Sequence, residues 1–458
     1  GVGDANNSLF TMETNGTLKT ATTFDYESNA STYNIRVQAR DESGTNAEGN
    51  FTVSLVNEYE PSKSNHSVLG ASGMEMIWVE PGTFTMGSPP SEVGRYLNET
   101  ENNVTFTQGF YLGKYEVTQA EYLNVMQGNP YGLSANPSSH KNTSNPVTNI
   151  SWKDVEKFCQ VLNLREKNAG RLPAGWAYTL PTEAQWEYAC RAGTKSRFSW
   201  GETEGSGLAN YNGFVGQHSA VGLYAPNFFG LYDMHGNVTE HTADWYAPLT
   251  SNAKTDPSGP SNGTQRTKRG GSYTFPANGI RSAKRLSGTP DSRYINLGFR
   301  LSFQNVGNSK PFDLVNTQPL SFAENISPGT IITSFGATEL DQSDTLVYSL
   351  VNGHLAENNS LFTMDGNGTL RTATSFDFET NASSYSIRVQ ARDGSNATTS
   401  LSFSLELIDL FEDADGDGFE DHIESSAGSN VNDASSTPFN HGLVAWYPFD
   451  GNASDMSG

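Results

Sequence analysis

Thiols are almost missing from this chain, which has two cysteines in 458 residues. Two thiols make neither a disulfide framework nor a zinc site, whose ligands come as closely spaced pairs. Basic residues are also scarce: 28 lysines and arginines stand against 50 aspartates and glutamates, a formal charge of −22. Such an excess of carboxylates repels phosphate, which excludes nucleic acid as a partner. No apolar run approaches the roughly 20 residues needed to cross a bilayer, so no transmembrane segment is expected. Hydrophobic residues make up only 35%, yet 11% are aromatic, the balance of a polar but folded protein. At about 150 residues per domain the length predicts about three folding units. The surplus of carboxyl oxygens suits a hard cation such as Ca2+.

The chain repeats itself. Residues 6–41 and 358–393 align at an offset of 352, with 28 of 36 positions identical. Within each copy, runs such as Tyr33-Asn34-Ile35-Arg36-Val37 alternate with the period of a half-buried strand. Asn15-Gly16 and Asn367-Gly368 supply turn residues that tolerate positive φ. Both copies read as parts of β-sandwiches. The chain opens inside one repeat and stops just after a new motif begins, so it is expected to be an excerpt of a longer protein.

Particular residues give these copies a resemblance to cadherin repeats. Phe24-Asp25-Tyr26-Glu27 and Phe376-Asp377-Phe378-Glu379 match the family's Leu-Asp-Arg-Glu motif in its two carboxylates. Val37-Gln38-Ala39-Arg40-Asp41 and Val389-Gln390-Ala391-Arg392-Asp393 match its Val-x-Ala-x-Asp strand. Phe322-Ala323-Glu324-Asn325 and Asn57-Glu58-Tyr59-Glu60-Pro61 resemble the Pro-Glu-Asn and Asn-Asp-Asn-x-Pro segments. The resemblance implies a partial repeat over 1–62 and a complete one over 310–410. It also implies calcium ligands at Asp25, Glu27, Glu58, Glu324, Asp377 and Glu379. Each copy is followed by something other than another such repeat.

Residues 70–305 differ in texture, with most of the seven tryptophans and many glycines and prolines between short periodic segments. Apolar residues at helical spacing (Val155, Phe158, Val161, Leu162) follow Ser151, a suitable N-cap, and predict one helix. Thr182–Ala189, entered through Pro181, predicts a second. The stretch is similar to the sulfatase-modifying-factor family, the formylglycine-generating-enzyme-like domain. The resemblance rests on Trp78-Val79-Glu80-Pro81-Gly82-Thr83-Phe84, Lys114-Tyr115-Glu116-Val117-Thr118 and Leu180-Pro181-Thr182-Glu183-Ala184-Gln185-Trp186-Glu187-Tyr188-Ala189. Gly230-Leu231-Tyr232-Asp233-Met234-His235-Gly236-Asn237-Val238, Arg269-Gly270-Gly271-Ser272 and Asn296-Leu297-Gly298-Phe299-Arg300 complete it. It implies an irregular α/β domain related to C-type lectins, in a multidomain chain flanked by all-β cadherin-like sandwiches.

Family members that oxidise a sulfatase cysteine carry two copper-binding cysteines just after Arg-Gly-Gly-Ser. Here the corresponding segment, Thr274 to Arg285, has none. Soft Cu(I) needs thiolates, so the formylglycine-generating reaction is not expected. Cys159 and Cys190 fall in the two expected helices and read as buried small hydrophobes; whether they bridge is left open. His235 and His241 read as partly exposed loop residues. Carried over from the family, a structural calcium in this loop would use the side chains of Asp233 and Glu240 and the carbonyls of Gly236 and Val238. Thr239 and His241 stand where that motif has tryptophans.

Residues 413–424 satisfy D-x-D-x-D-G-x₅-E. Alternate carboxylates in a tight loop face inward together, and Gly418 permits the turn. Asp413, Asp415, Asp417, Asp421 and Glu424 would bind by side chain and Phe419 by its carbonyl. The preceding segment, Ser400–Asp409, alternates like a strand, so 411–440 resembles a thrombospondin type 3 connector rather than a true EF-hand. Residues 441–458 resemble the opening strand of a laminin-G/concanavalin-like domain.

The expected function is therefore non-catalytic: calcium-dependent adhesion or ligand binding in a secreted or cell-surface modular protein, toward a protein or glycan at the cell exterior. The alternatives are a sulfatase-modifying-type oxidase and the accessory region of a polymer-degrading enzyme.

Overall fold

The computed structural model describes residues 4–24, 29–55, 61–68, 73–341 and 344–438. Asp25, Glu27, Glu58 and segment 441–458, expected to open a laminin-G/concanavalin-like domain, lie outside the described residues. The chain divides into two compact units, residues 1–166 with 177–305 and residues 167–176 with 306–458.

In the first unit, the repeat-like start forms an antiparallel ribbon. Thr32–Arg40 pairs with Asn46–Ser54 in register from Thr32 opposite Ser54 to Arg40 opposite Asn46. The alternation in the sequence buries Tyr33 and Ile35, and Tyr33 meets Phe10 and Phe24 in an aromatic cluster.

The remainder of that unit is built from three small sheets and three helices. One sheet orders Trp176–Thr179, Ser302–Asn305, Phe110–Gly113, Glu75–Val79 and His66–Ser67. A second orders Leu286–Gly288, Arg266–Arg269, Thr239–Trp245 and Leu297–Phe299; the third holds Lys254–Thr255, Asn102–Phe106 and Gly82–Met86. Helix α1 is Gln119–Met126, α2 is Trp152–Asn168 and α3 is Glu183–Arg191.

Each helix starts at a residue that satisfies its orphan N–H groups. Ser151 Oγ accepts from the Asp154 amide while Asp154 Oδ2 accepts from the Ser151 amide. Thr182 and Gln185 make the same reciprocal pair for α3. Trp186, Ala189 and Cys190 of α3 pack on Ile77, Val79, Phe110 and Leu112 of the first sheet.

The second unit is a sandwich of two four-stranded sheets. Phe312–Asn316, Ile331–Thr338, Thr369–Thr372 and Phe362–Met364 make one; Ser321–Ala323, Thr398–Ile408, Ser384–Arg392 and Val347–Leu350 make the other. Ser384–Arg392 pairs with Thr398–Ile408 over nine residues. Its alternate side chains Tyr385, Ile387, Val389 and Ala391 are buried in the core with Phe322, Phe335 and Leu405. Strand Thr398–Ile408 leads to the acidic loop, and the short helix α4, Asp421–Ala427, follows it and ends at Gly428 in the left-handed region.

Candidate functional site

Three carboxylate sites and one thiol site bear on function. In the acidic loop the turn is tied by its own side chains. Asp413 Oδ1 accepts from the amides of Gly416 and Asp417, its Oδ2 from Gly418, and Asp417 Oδ1 from Phe419. Gly416 and Gly418 have φ of +77° and +95°, where a side chain would be strained. Glycine is required there because the chain must turn for the aspartates to converge. Asp413, Asp415 and Asp417 offer oxygens within 4.8 Å of one another. Asp421, at the start of α4, caps the loop by accepting from the Ala414 amide. Glu424, one turn along α4, is 0% exposed, and neither of its carboxylate oxygens has a hydrogen-bond partner. Asp415 Oδ2 and Asp417 Oδ2 are likewise buried without one. Burying a carboxylate without a partner is costly, and a bound cation removes that cost.

At one end of the sandwich, Glu324, Asp377 and Glu379 also converge within 4.8 Å. Glu324 is buried and ties two segments together: Oε2 accepts from the Phe378 amide and Oε1 from the Leu410 amide, at 2.6 and 2.7 Å. Sequence reasoning missed Glu412. Asn325 donates to its side chain, and its carboxyl is pushed up by burial and then by the charges of Glu324, Glu379, Asp421 and Asp377. It thus senses both acidic clusters. Among the described residues, these are the two places where three such ligand groups meet.

The 233–240 loop is organised differently. Gly236, at φ +93°, passes so close to Asn210 that a Cβ would lie 2.2 Å from its carbonyl oxygen. Glu240 is fully buried and engaged: Arg300 donates to Oε1 and Oε2, both at 2.7 Å, and Trp186 Nε1 to Oε2. Asp233 accepts from the Gly222 amide, and burial pushes its carboxyl up to about 6. The sequence also gave no warning of Glu116. It accepts from Asn237 Nδ2 and the Val238 amide and is raised well above its ordinary value by burial, then by Asp233 and Glu240. Three carboxyl groups therefore share one buried guanidinium, leaving negative charge that protons or a cation must offset.

Neither thiol belongs to segment 274–285, although Cys190 lies against Ser282 within it. Both are free and buried, Cys159 in α2 and Cys190 in α3. Burial pushes the Cys190 thiol up to about 12 and raises that of Cys159 as well. Cys190 Sγ lies 3.5 Å from His235 Nε2. The Ile280 carbonyl can only accept, so His235 Nδ1 carries a proton; the Ser199 amide can only donate, so Nε2 is the acceptor. The pair is a neutral thiol beside a neutral imidazole. It lacks the thiolate–imidazolium character of a nucleophilic cysteine. The expectation that His235 and His241 are partly exposed is corrected: both are buried, and burial holds His235 down to about 4 and His241 to about 3.

Residues 63–304 match the sulfatase-modifying factor enzyme 1-like domain. The chain belongs to that family. Residues 318–407 match the cadherin domain. The formylglycine-generating enzyme of Mus musculus is 30% identical over 291 residues, covering 49% of this chain and 74% of that protein. The formylglycine-generating enzyme of Streptomyces coelicolor is 36% identical over 178 residues, covering 34% and 52%. Among solved structures, PvdO from Pseudomonas aeruginosa aligns with a TM-score of 0.47 and 26% identity, covering 54% of this chain and 99% of that one. The chain thus joins a sulfatase-modifying-factor domain to a cadherin-like β region. No described helix is long and apolar enough to cross a membrane.

Proposed function

We propose that this chain is a non-catalytic, calcium-holding portion of a secreted or cell-surface modular protein, in which the sulfatase-modifying-factor domain serves ligand binding rather than oxidation. One observation carries the reading: Glu424 is buried with both oxygens unpartnered at the last position of a D-x-D-x-D-G-x₅-E loop. Calcium fits that donor set, because it takes six to eight oxygens and tolerates mixed geometry. Asp413, Asp415, Asp417, Asp421 and Glu424, with the Phe419 carbonyl, would hold one ion. Glu324, Asp377 and Glu379 would hold another, and Asp233, Glu240, Gly236 and Val238 a third. The thrombospondin-like character of the connector and the C-type-lectin relation of the central domain belong to the same reading. Both are consistent with an extracellular setting, where millimolar calcium fills weak sites.

Against catalysis stands the chemistry of the thiols. The segment 274–285 offers Phe275 and Ile280 but no sulfur, and Cys190 is a buried neutral thiol. The alternative, a protein-cysteine oxidase, is favoured by the similarity to formylglycine-generating enzymes. Two measurements separate the readings: metal content after purification, and turnover of a Cys-x-Pro-x-Arg peptide. Stoichiometric calcium without turnover supports the proposal. Copper or iron together with formylglycine product overturns it.

A further inference from the structure

Strand Asn102–Phe106 turns positions 102, 104 and 106 inward and positions 103 and 105 outward. Val104 and Phe106 obey the alternation and join Met86 and Ala184 in an apolar cluster. Position 102 breaks it with an asparagine. Asn102 is 4% exposed, and neither Oδ1 nor Nδ2 of its carboxamide has a hydrogen-bond partner. An unpaired amide at a core position works against folding, and such local violations gather where a protein binds something.

The amide lines a cavity of about 50 Å³ that it shares with Asp244, Trp245, Leu249, Pro257 and Pro260. Asp244 is also buried, and its Oδ2 accepts from the Glu183 amide at 2.6 Å. Glu183 itself is satisfied by Arg269 and Arg285. The wall therefore presents an unused donor and acceptor on one side chain, a carboxyl group beside it, Lys254 and Arg285, and an apolar face of proline rings and the Trp245 indole, whose ring also carries the Arg266 guanidinium 3.5 Å from its centroid.

We infer that this cavity recognises the vicinal hydroxyls of a neutral sugar residue, Asn102 and Asp244 bonding the hydroxyls while Trp245 and the prolines cover the C–H face. Each hydroxyl is both donor and acceptor, so two neighbouring ones satisfy the carboxamide and the carboxyl together. A primary amide would satisfy Asn102 alone, and an anion, which can only accept, would leave Asn102 Oδ1 unpaired. The cavity admits the edge of a ring rather than a whole one, so a terminal residue of a longer glycan is the expected occupant. The inference names the ligand class that the binding reading above leaves open, and rests on that reading.

The test uses the full chain with galactose, mannose and N-acetylglucosamine as separate probes, read by saturation-transfer NMR and by competition. At least one sugar gives transfer to ring protons with millimolar affinity. Asn102→Val weakens it at least tenfold and, without sugar, raises the melting temperature, because the unpaired amide is gone. Four results overturn the inference: no sugar binds, Asn102→Val binds as well as the native chain, Asn102→Val melts lower (the amide then serves only a hydrated core), or glutamine displaces the sugar. If sugar binding fails while calcium still shifts the melting curve, only this inference falls; if calcium has no effect either, the calcium reading falls too.

Discussion

Single side chains decide which charges this protein can bury. Glu240 and Arg300 are both fully buried and paired through two hydrogen bonds, so neither can be removed alone without stranding the other. Arg300→Met is expected to destabilise the central domain by about 3–5 kcal/mol in denaturant unfolding. Glu424 is the opposite case, a carboxylate that is 0% exposed with neither oxygen hydrogen-bonded among the described residues. Glu424→Gln removes one charge from the loop and is expected to weaken calcium binding more than roughly tenfold in an equilibrium titration. An unchanged affinity would place the ion elsewhere. His218 brings pH into the account: it is buried, and burial followed by the nearby His140 holds it down to about 4. The unfolded chain then takes up the proton first, so stability present above about 6.5 is lost as pH falls toward 4. At pH 5 the share of His218 in that loss is about 1–2 kcal/mol, and His218→Gln should make that part of the pH–stability curve less steep, with buried His235 and His241 carrying the rest.

At the scale of elements, two of the three helices in the central domain were readable from the sequence. Their apolar spacing and their caps at Ser151 and Thr182 agree, and local and tertiary preferences point the same way. Helix α1 was equally readable and was missed: Thr118-x-x-Glu121 is a capping box, and the structure forms both of its bonds. Strand Ser384–Arg392 was legible because one of its faces is buried, which fixes the period. The placement of Cys159 and Cys190 in α2 and α3 has a measurable consequence. Both thiols should resist an aromatic disulfide reagent in the native protein and both should react once denaturant opens the helices, as counted by released thiolate. Rapid labelling of either without denaturant would contradict their burial.

For the whole molecule, the two units should respond to calcium unequally. Both acidic clusters where three carboxylates meet lie in the second unit. Calcium should therefore raise the melting transition of that unit more than that of the first, and chelator should reverse it, since an ion that binds only the native state stabilises by mass action. Calorimetry with and without chelator resolves the two transitions; identical traces would argue that neither cluster is occupied. Twofold separation into a sulfatase-modifying-factor domain and a cadherin-like region also means that a single unfolding free energy does not describe the chain.

By itself the sequence determined what depends on neighbours along the chain. Repeats, strand alternation, helix caps and the spacing of the 413–424 carboxylates are local patterns, and chemistry within a few residues sets them. Glu116, Asn102, Asp244 and the neutral Cys190–His235 pair were beyond its reach. Glu116, Asp244 and the Cys190–His235 pair are separated from their partners by dozens of residues and Asn102 has none; the protonation or pairing of each depends on burial, which arises only when distant segments close over it. Only the tertiary fold brings Glu116 beside Val238, removes water from Glu424 and leaves Asn102 facing a cavity, because desolvation is a property of the packed molecule and not of any segment of it.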